Sequence, residues 1–246
     1  MDVIILASGI GKRLGALGAK TPKCLLNISK NYKIIDKIIF ELNKIKKITM
    51  VVGYKSHHIK NYLTQKNIRF VHNKNYKDKG NYYSVLICKN KIKGDVIILD
   101  ADILLPKGSL KHFISDKRKN LVMVNPKNRY DADDIILNLN KKNIVNKVSI
   151  KKMIYNSKVK YSCAGVIKMT SHSAKIFFAK LNKIYKSKNH DTYYEEAYED
   201  LFKKKQFEIY TLKQKRLEVD TSKDYKKIIN ILKKKNEYFK KNNNKL

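Results

Sequence analysis

The sequence predicts an α/β protein built on a doubly wound, mostly parallel sheet. Three features indicate this fold. Short runs of aliphatic residues recur along the first half of the chain, segments of helical periodicity separate them, and the first run ends in a glycine-containing turn. Continuous apolar runs are typical of strands that are buried on both faces. With 246 residues, the chain is long enough for one large domain with a substantial core.

The first half of the chain alternates between predicted strands and helices. Apolar runs predict strands at residues 3–7, 48–53, 68–72, 94–100 and 121–125. Helical spacing or capping predicts helices at 34–46, from residue 56, at 81–86 and at 110–117. Such alternation favours a parallel sheet that is covered by helices on both faces.

The pattern changes after residue 125. Two apolar segments around the polar stretch 140–143 predict a β-hairpin, which is inserted together with further helices. The predicted hairpin strands are 135–139 and 144–150, the later strands are 161–169 and 207–212, and the later helices are 171–187, 192–205 and 223–241. The sequence has no internal repeat and no linker rich in glycine, proline or serine, so we expect one domain over residues 1–246.

The chain is strongly basic. It contains 55 lysine and arginine residues against 21 aspartate and glutamate residues, which gives a formal net charge of +34. This charge would attract polyanions, so a nucleic-acid-binding protein is one interpretation. However, only five of the basic residues are arginines, and the lysines are spread along the chain among asparagine and isoleucine. This distribution favours a solvated surface, and we expect no specific nucleic-acid partner.

The cysteines and the N-terminus predict a cytoplasmic protein. The 3 cysteines are too few and too odd in number for a disulfide framework, and their spacing gives no zinc-site motif. The first apolar run is too short for a signal peptide or a membrane span. The sequence leaves the oligomeric state open, and a homo-oligomer is one possibility.

The turn after the first predicted strand has the composition of a phosphate-binding loop. Gly9 and Gly11 allow backbone N–H groups to approach phosphate oxygens closely, and Lys12, Arg13 and Lys23 add positive charge near the same strand end. The segment is neither a Walker A sequence nor a complete Gly-x-Gly-x-x-Gly motif. By itself it is equally compatible with a structural turn.

Aspartates occur at two points where they could act as metal ligands. Asp100 and Asp102 lie at the end of the fourth predicted strand, and Asp220 follows a short apolar segment before the last helix. Carboxylates that converge from distant segments suit Mg²⁺, which prefers oxygen ligands and bridges phosphates. A single aspartate at such a position could instead cap the helix that follows.

Taken together, these elements resemble the nucleotidyltransferase family that makes nucleotide-sugars and related CDP compounds. IILASGIGKRL followed by TPKCLLNI matches its strand, glycine loop, arginine and Pro-Lys, and the Asp-x-Asp and Val-Asp-Thr segments follow in the same order. The resemblance covers essentially the whole chain and implies a Rossmann-like sheet of the nucleotide-diphospho-sugar transferase type. It divides the domain into a nucleotide-binding core (1–125), an acceptor-binding part (126–212) and a metal-site segment with the C-terminal helix (213–246).

The resemblance also implies roles for individual residues. Arg13 and Lys23 would be the catalytic cations that stabilise charge on the phosphates as pyrophosphate leaves, while Asp102 and Asp220 would bind Mg²⁺. The residues implied to bind the nucleotide are Leu6, Ala7, Ser8, Gly9, Gly11, Lys12, Asn81, Ser84 and Asp100.

Two further segments resemble the phosphocholine cytidylyltransferase branch of that family. In KGNYYS, Asn81 and Ser84 would lie beside the base and ribose, with a plain helix N-cap at Asn81 as the alternative. Asp191 and Tyr193 resemble the acceptor region, where a carboxylate and aromatic rings suit an ammonium group, although an ordinary helix start would use the same residues. Lys168 stands where that branch has an aromatic residue, and an inward-facing cation there would favour an acceptor with an additional anionic group.

The sequence therefore predicts a Mg²⁺-dependent cytidylyltransferase that joins CTP to a small phosphorylated or phosphonate acceptor and releases pyrophosphate. Candidate acceptors are phosphocholine-like amines, aminoethylphosphonate, phosphorylated amides and polyol phosphates. The product would be a precursor of a surface polysaccharide or a phospholipid. A sugar-1-phosphate nucleotidyltransferase that uses UTP, dTTP or GTP is the nearest alternative, because it would share the phosphate and metal residues.

Overall fold

A computed structural model of the chain describes residues 1–127, 134–150, 161–187, 190 and 192–234. Its strands are β1 (Asp2–Ala7), β2 (Asn27–Ser29), β3 (Tyr32–Lys33), β4 (Ile48–Val52), β5 (Ile68–His72), β6 (Val96–Asp100), β7 (Ile103–Leu104), β8 (Leu121–Val124), β9 (Ile136–Leu139), β10 (Val145–Ser149), β11 (Tyr161–Met169), β12 (Glu208–Thr211) and β13 (Leu217–Glu218). Its α-helices are α1 (Ala16–Lys20), α2 (Ile34–Glu41), α3 (Ser56–Tyr62), α4 (Asn81–Leu86), α5 (Ser109–Ser115), α6 (Ser171–Lys186), α7 (Tyr198–Lys204) and α8 (Ser222–Lys234).

A large central sheet organises the described residues. Its main path has the order β10-β9-β11-β6-β1-β4-β5, and β8 joins it through β11 and carries β12. Strand β1 is parallel to β4 and β6, and β4 is parallel to β5, whereas β11 is antiparallel to β6. In the register, Leu6 lies beside both Val51 and Asp100, so the carboxyl ends of the three central strands share one edge. The predicted α/β fold with a mostly parallel core is confirmed.

Helices cover both faces of this sheet, because neighbouring residues of a buried strand point to opposite sides. Val3 and Ile5 of β1 belong to the core that includes residues of α2, α3 and α5, whereas Ile4 packs with residues of α4, α6 and α7. The side chains of Val3, Ile4 and Ile5 are each at most 1% exposed. Residues 3–7 of the strand are therefore apolar, which is the pattern that predicted it.

Several element boundaries differ from the sequence-based expectation. Helix α2 ends at Glu41, although the apolar spacing continues through Leu42 and Ile45, which pack against the core from a turn. The helix expected at 192–205 is divided into a 3-10 helix, Tyr194–Ala197, and α7. The hairpin is present as β9 and β10. The last helix is described as far as Lys234, and the predicted remainder to 241 lies outside the described residues.

None of the helices formed by the described residues combines the length with the apolar character that crossing a membrane would require.

Candidate active site

A tight glycine turn follows β1 at the sheet edge where the central strands end. From Ala7 the chain passes through Gly9 and Gly11 into a 3-10 helix at Lys12–Leu14. Gly11 has a φ of 68°, and a Cβ at this position would lie 3.2 Å from Cγ of Lys23. Glycine is therefore needed for the backbone conformation and for the close approach of the Lys23 side chain.

Lys23 joins two carboxylates, Asp102 and Asp220, that are more than one hundred residues apart in the sequence. Its ammonium donates to Oδ2 of Asp102 at 3.0 Å and to Oδ1 of Asp220 at 2.8 Å. The guanidinium of Arg13 lies 2.9 Å from the same Asp220 oxygen. Burial alone would lower the pKa of the Lys23 ammonium, but the two carboxylates more than offset it and raise that pKa above its usual value. The four residues for which we predicted the catalytic and metal-binding roles therefore meet in one cluster.

A small two-stranded sheet brings the two aspartates together. Strand β7 follows Asp102 directly and pairs antiparallel with β13, so that Glu218 lies beside Ile103. The Val219 N–H donates to the Asp102 carbonyl at 3.2 Å. This pairing fixes the segment that ends at Asp220 against the end of β6.

A third carboxylate, Glu218, completes the acidic side of the cluster. One oxygen each from Asp102, Glu218 and Asp220 can be chosen so that all three lie within 4.8 Å of one another. In an extended segment, residues 218 and 220 face the same side while Val219, which is 0% exposed, points into the core. This alternation is the sequence signal that could have identified Glu218, which we had not predicted. Three hard oxygen donors at this separation fit a divalent cation such as Mg²⁺.

Arg216 holds Glu218 from the protein interior. Its guanidinium donates to the Glu218 carboxylate and lies 3.5 Å from Oδ1 of Asp134. Burial raises the pKa of Glu218, with Asp102 and Asp220 adding to the effect and Arg216 opposing it. The carboxylate thus has one cationic partner inside the protein and faces the other two acids on the outer side.

Asp100 lies next to this cluster but faces strand β11. A Cβ on Gly165, whose φ is 74°, would lie only 2.7 Å from Oδ2 of Asp100. Enclosure by the protein raises the pKa of Asp100 well above its usual value, and the nearby Glu195 and Asp102 add to this. Asp100 is not one of the three grouped carboxylates, so its predicted contact with the nucleotide stays a prediction.

The glycine turn and the ion-pair cluster enclose a cavity of about 270 Å³. Its walls combine the turn, the Pro-Lys segment and the end of β6, and they are formed by Leu6, Ala7, Gly9, Gly11, Lys12, Arg13, Pro22, Lys23, Cys24, Ala101 and Asp102. A larger groove of about 800 Å³ lies between β2 and α8, but no acidic residue is among the described residues that line it. The smaller cavity therefore brings three cations and the Asp102 carboxylate together at the glycine turn, a combination that suits a metal–polyphosphate ligand.

The other predicted nucleotide contacts lie behind and beside the glycine turn. Ser8 is buried, and its hydroxyl lies 2.7 Å from the hydroxyl of Ser84. Asn81 begins α4 and accepts a hydrogen bond from the Tyr194 N–H at 2.8 Å. These side chains are thus near the loop but are engaged with protein groups.

Lys168 lies outside the site, which argues against its predicted contact with the acceptor. It is 3% exposed, and its ammonium donates to the carbonyl oxygen of Asp116 at 2.6 Å, beyond the last turn of α5. On β11 it shares a face with Ala164 and Val166, which pack on the α5 side of the sheet, whereas Tyr194 of the expected acceptor region packs on the opposite side. The physical reason is that successive residues of β11 point to opposite faces of the sheet. This places the Lys168 side chain at the C-terminus of α5, where a backbone carbonyl oxygen accepts its hydrogen bond.

The remaining acceptor residues are only partly described. Tyr193 precedes the 3-10 helix Tyr194–Ala197 and is 39% exposed, so its ring is accessible to a ligand. Asp191 lies outside the described residues. Next to Tyr193 in the chain, Tyr194 and Glu195 are buried, and burial raises the pKa of Glu195 to about 7.

Comparisons with known proteins agree with this fold. A model of the MobA-like NTP transferase domain matches residues 3–175, which is more than half of the chain. The choline-phosphate cytidylyltransferase of Streptococcus pneumoniae is 28% identical over 240 residues, covering 96% of this chain and 100% of that protein. The solved structure of the CTP:phosphocholine cytidylyltransferase from Streptococcus pneumoniae superposes with a TM-score of 0.82 at 25% identity, covering 94% of this chain and 98% of that one.

Other relatives match over part of their length. The CTP:phosphoglutamine cytidylyltransferase of Campylobacter jejuni is 36% identical over 134 residues, which span 50% of this chain and 52% of that protein. Proteins described as bifunctional protein GlmU also match, and the chain spans 35% of the one from Methanococcus aeolicus, at 29% identity.

Proposed function

Because the chain belongs to the family of MobA-like NTP transferase domains and is a nucleotidyltransferase, we propose that it joins CTP to a small phosphorylated acceptor and releases pyrophosphate. The observation that carries this proposal is the cluster in which Lys23 and Arg13 meet Asp102 and Asp220 beside the glycine turn. The choice of CTP is supported by two relatives that are described as cytidylyltransferases, one of which matches over nearly the whole chain.

The proposed reaction is an in-line displacement at the α-phosphorus of CTP. A phosphate or phosphonate oxygen of the acceptor forms the new P–O bond, and the bond to the bridging oxygen of pyrophosphate breaks. The attacking oxygen is already an anion, so no general base is needed. Catalysis then depends on holding the reactants in line and on neutralising the negative charge that gathers between them.

The glycine turn and its cations supply this neutralisation. Backbone N–H groups near Gly9 and Gly11 would bind the triphosphate, with Lys12 at the cavity wall. Arg13, whose side chain is 61% exposed, and Lys23, whose side chain is 18% exposed, would exchange their carboxylate partners for phosphate oxygens. Charge-assisted contacts of this kind are worth on the order of 10²–10³ in rate when they form in the transition state.

The carboxylate side of the cluster would hold a divalent cation. Asp102, Glu218 and Asp220 would be the residues that bind it, and we propose Mg²⁺ because all donors are oxygens. When bound, such a cation withdraws charge from the α-phosphate and so favours attack. Arg216 would keep the Glu218 carboxylate oriented toward this position.

The acceptor would bind on the side of Tyr193, whose exposed ring can contact an ammonium or amide group. The relatives are described as enzymes of phosphocholine and phosphoglutamine, so we propose a phosphorylated amine or amide as the acceptor class. Asp191, which lies outside the described residues, remains a proposed acceptor contact.

The test is pyrophosphate release with Mg²⁺, each of the four NTPs, and an acceptor panel. The panel contains phosphocholine, aminoethylphosphonate, phosphorylated amides, polyol phosphates and sugar-1-phosphates. The proposal expects release with CTP and a non-sugar acceptor, and a loss of at least about 100-fold in kcat for Asp220→Asn. Lys30→Ala, which changes an exposed lysine in the turn between β2 and β3, is the matched control and should keep its activity.

Two other outcomes would contradict the proposal. Release with UTP, dTTP or GTP and a sugar-1-phosphate would identify a sugar nucleotidyltransferase on the same phosphate and metal residues. No release across the panel, together with salt-dependent binding of nucleic acid that Asp220→Asn leaves unchanged, would favour the polyanion-binding interpretation.

A further inference from the structure

The first turn of α4 contacts the phosphate loop on one side. Ser84 is 1% exposed. Its hydroxyl lies 2.7 Å from that of Ser8 and accepts a hydrogen bond from Nδ2 of Asn73 at 2.9 Å. Ser8 belongs to the loop that follows β1, so this buried network fixes the height of the loop above the sheet. A side chain that is 1% exposed and already has two protein partners presents almost no surface to the base or the ribose of a nucleotide.

The same turn contacts the acceptor side through Asn81. Its side-chain oxygen accepts a hydrogen bond from the Tyr194 N–H at 2.8 Å. The backbones also touch here, because a Cβ on Gly80 would lie 1.9 Å from the carbonyl oxygen of Thr192. Only glycine fits at residue 80, and the acceptor-side segment, residues 192–194, is held directly against the start of α4.

We propose that the turn 81–84 positions the two substrate sites relative to each other. Ser84 holds the phosphate loop through Ser8, and Asn81 holds the acceptor-side segment through the Tyr194 amide. Asn81 is thus a positioning residue for the acceptor, and Ser84 is one for the nucleotide. This inference rests on the transferase activity proposed above. In-line attack is sensitive to such positioning, because a displacement of about 1 Å lowers rates on the order of 100-fold.

Three variants separate positioning from direct contact with the nucleotide. Asn81→Ala removes the acceptor of the Tyr194 N–H, whereas Asn81→Asp keeps an oxygen at the same place and replaces the amide donor by a second, charged oxygen. Ser84→Ala removes the bonds to Ser8 and Asn73. Steady-state KM values are measured for CTP and for the panel compound that the wild-type protein converts fastest. Calorimetry measures CTP binding with Mg²⁺ and without acceptor.

The positioning role gives opposite patterns for the two residues. Asn81→Ala should raise the acceptor KM about tenfold and leave CTP binding within about threefold of wild type, and Asn81→Asp should restore the acceptor KM. Ser84→Ala should weaken CTP binding and leave the acceptor KM within about threefold. If Asn81→Ala weakens CTP binding and spares the acceptor KM, or if Asn81→Asp fails to restore the acceptor KM, the inference is overturned.

Hydrogen–deuterium exchange tests the contact between Asn81 and the Tyr194 amide without any substrate. Exchange of the Tyr194 amide should be faster in Asn81→Ala than in the wild-type protein and slow again in Asn81→Asp. If the wild-type protein releases no pyrophosphate, the proposed function fails, and this exchange pattern still decides whether Asn81 holds the segment. Equal exchange of the Tyr194 amide in the wild-type protein, Asn81→Ala and Asn81→Asp would overturn the inference even in a fully active enzyme.

Discussion

The ion pairs of Lys23 make a specific prediction about metal binding. The ammonium lies 3.0 Å from one carboxylate and 2.8 Å from another, and both carboxylates belong to the group that fits a divalent cation. A cation that binds this group therefore competes with Lys23. We expect Lys23→Gln to bind Mn²⁺ more tightly than the wild-type protein when no nucleotide is present.

The magnitude follows from the contacts. Two unit charges about 3 Å apart attract each other by roughly 5 kcal/mol at an effective dielectric constant of about 20. The side chains of Asp102 and Asp220 are 23% and 24% exposed, so water screens part of this attraction, and the released ammonium regains hydration. Hydrogen bonds to charged groups contribute about 1.5–3 kcal/mol net. Loss of one such contact corresponds to at least about a tenfold gain in Mn²⁺ affinity, or about 1.4 kcal/mol.

The assay is a titration of free Mn²⁺ by electron paramagnetic resonance. Lys23→Arg keeps the positive charge and should remain close to the wild-type affinity, and Lys12→Gln, which changes an exposed cation of the same loop, should have a smaller effect than Lys23→Gln. Adding Glu218→Gln to Lys23→Gln should remove the gain. CTP should reduce the difference between wild type and Lys23→Gln, because the triphosphate offers Lys23 other partners.

One result would refute this reasoning directly: a Lys23→Gln protein that binds Mn²⁺ no more tightly than wild type. Lys23 would then not compete with the metal for these carboxylates. If Glu218→Gln left the affinity of Lys23→Gln unchanged, the metal would bind elsewhere, and the assignment of the three carboxylates would be wrong.

Three further predictions concern stability. Glu41→Gln removes the negative charge that lies 2.7 Å from the buried Lys37 ammonium and weakens the bond that Glu41 accepts from the Leu110 N–H, so it should lower the free energy of unfolding in urea by about 3–5 kcal/mol. Adding Lys37→Met should restore part of this loss, and a loss below about 1 kcal/mol would contradict the prediction. Burial raises the pKa of Glu195 to about 7, so the free energy of unfolding of the wild-type protein should fall as pH rises from about 4.5 to 7. Glu195→Gln should therefore be more stable than wild type by on the order of 1–3 kcal/mol at pH 8 and by little at pH 4. A difference that does not change with pH would refute this prediction. Hydrogen bonding from Arg118 lowers the pKa of Asp116 to about 2, so this ion pair should contribute less than about 1 kcal/mol to the free energy of unfolding above pH 4. That contribution should be lost between about pH 4 and 2. Thermal melts of Arg118→Met and of the wild-type protein across this range measure it.

Local sequence patterns were sufficient for the sheet and for much of the site. The middle of a strand that is buried on both faces is mostly apolar, so the aliphatic runs in β1, β4 and β6 could be recognised in the sequence. The turn could be recognised from its glycines, because the positive φ of Gly11 and the close approach of Lys23 both favour glycine at this position. In a parallel sheet, strand ends gather at one edge, and this places Asp102 near the loop without further information.

Contacts between distant segments could not be read in this way. Glu218 joins the carboxylates because β13 pairs with β7, and Lys168 leaves the site because its position on β11 faces α5. An asparagine at the start of a helix fits both a nucleotide contact and a helix N-cap, and only the packing shows that the partner of Asn81 is the Tyr194 amide.

The sequence by itself thus determined the fold class, the phosphate loop, the two catalytic cations as a hypothesis, and two of the three grouped carboxylates. The fold class and the glycine turn follow from residues that are adjacent in the chain, where apolar periodicity, glycine conformation and spacing act over a few residues. The roles of the cations and of the two aspartates are what the resemblance to the nucleotidyltransferase family implies. The tertiary structure alone decided which side chains share the cavity and which serve as internal supports. Those contacts depend on which face of a strand meets which helix and on a strand pairing between residues more than one hundred positions apart, and no local pattern encodes that choice.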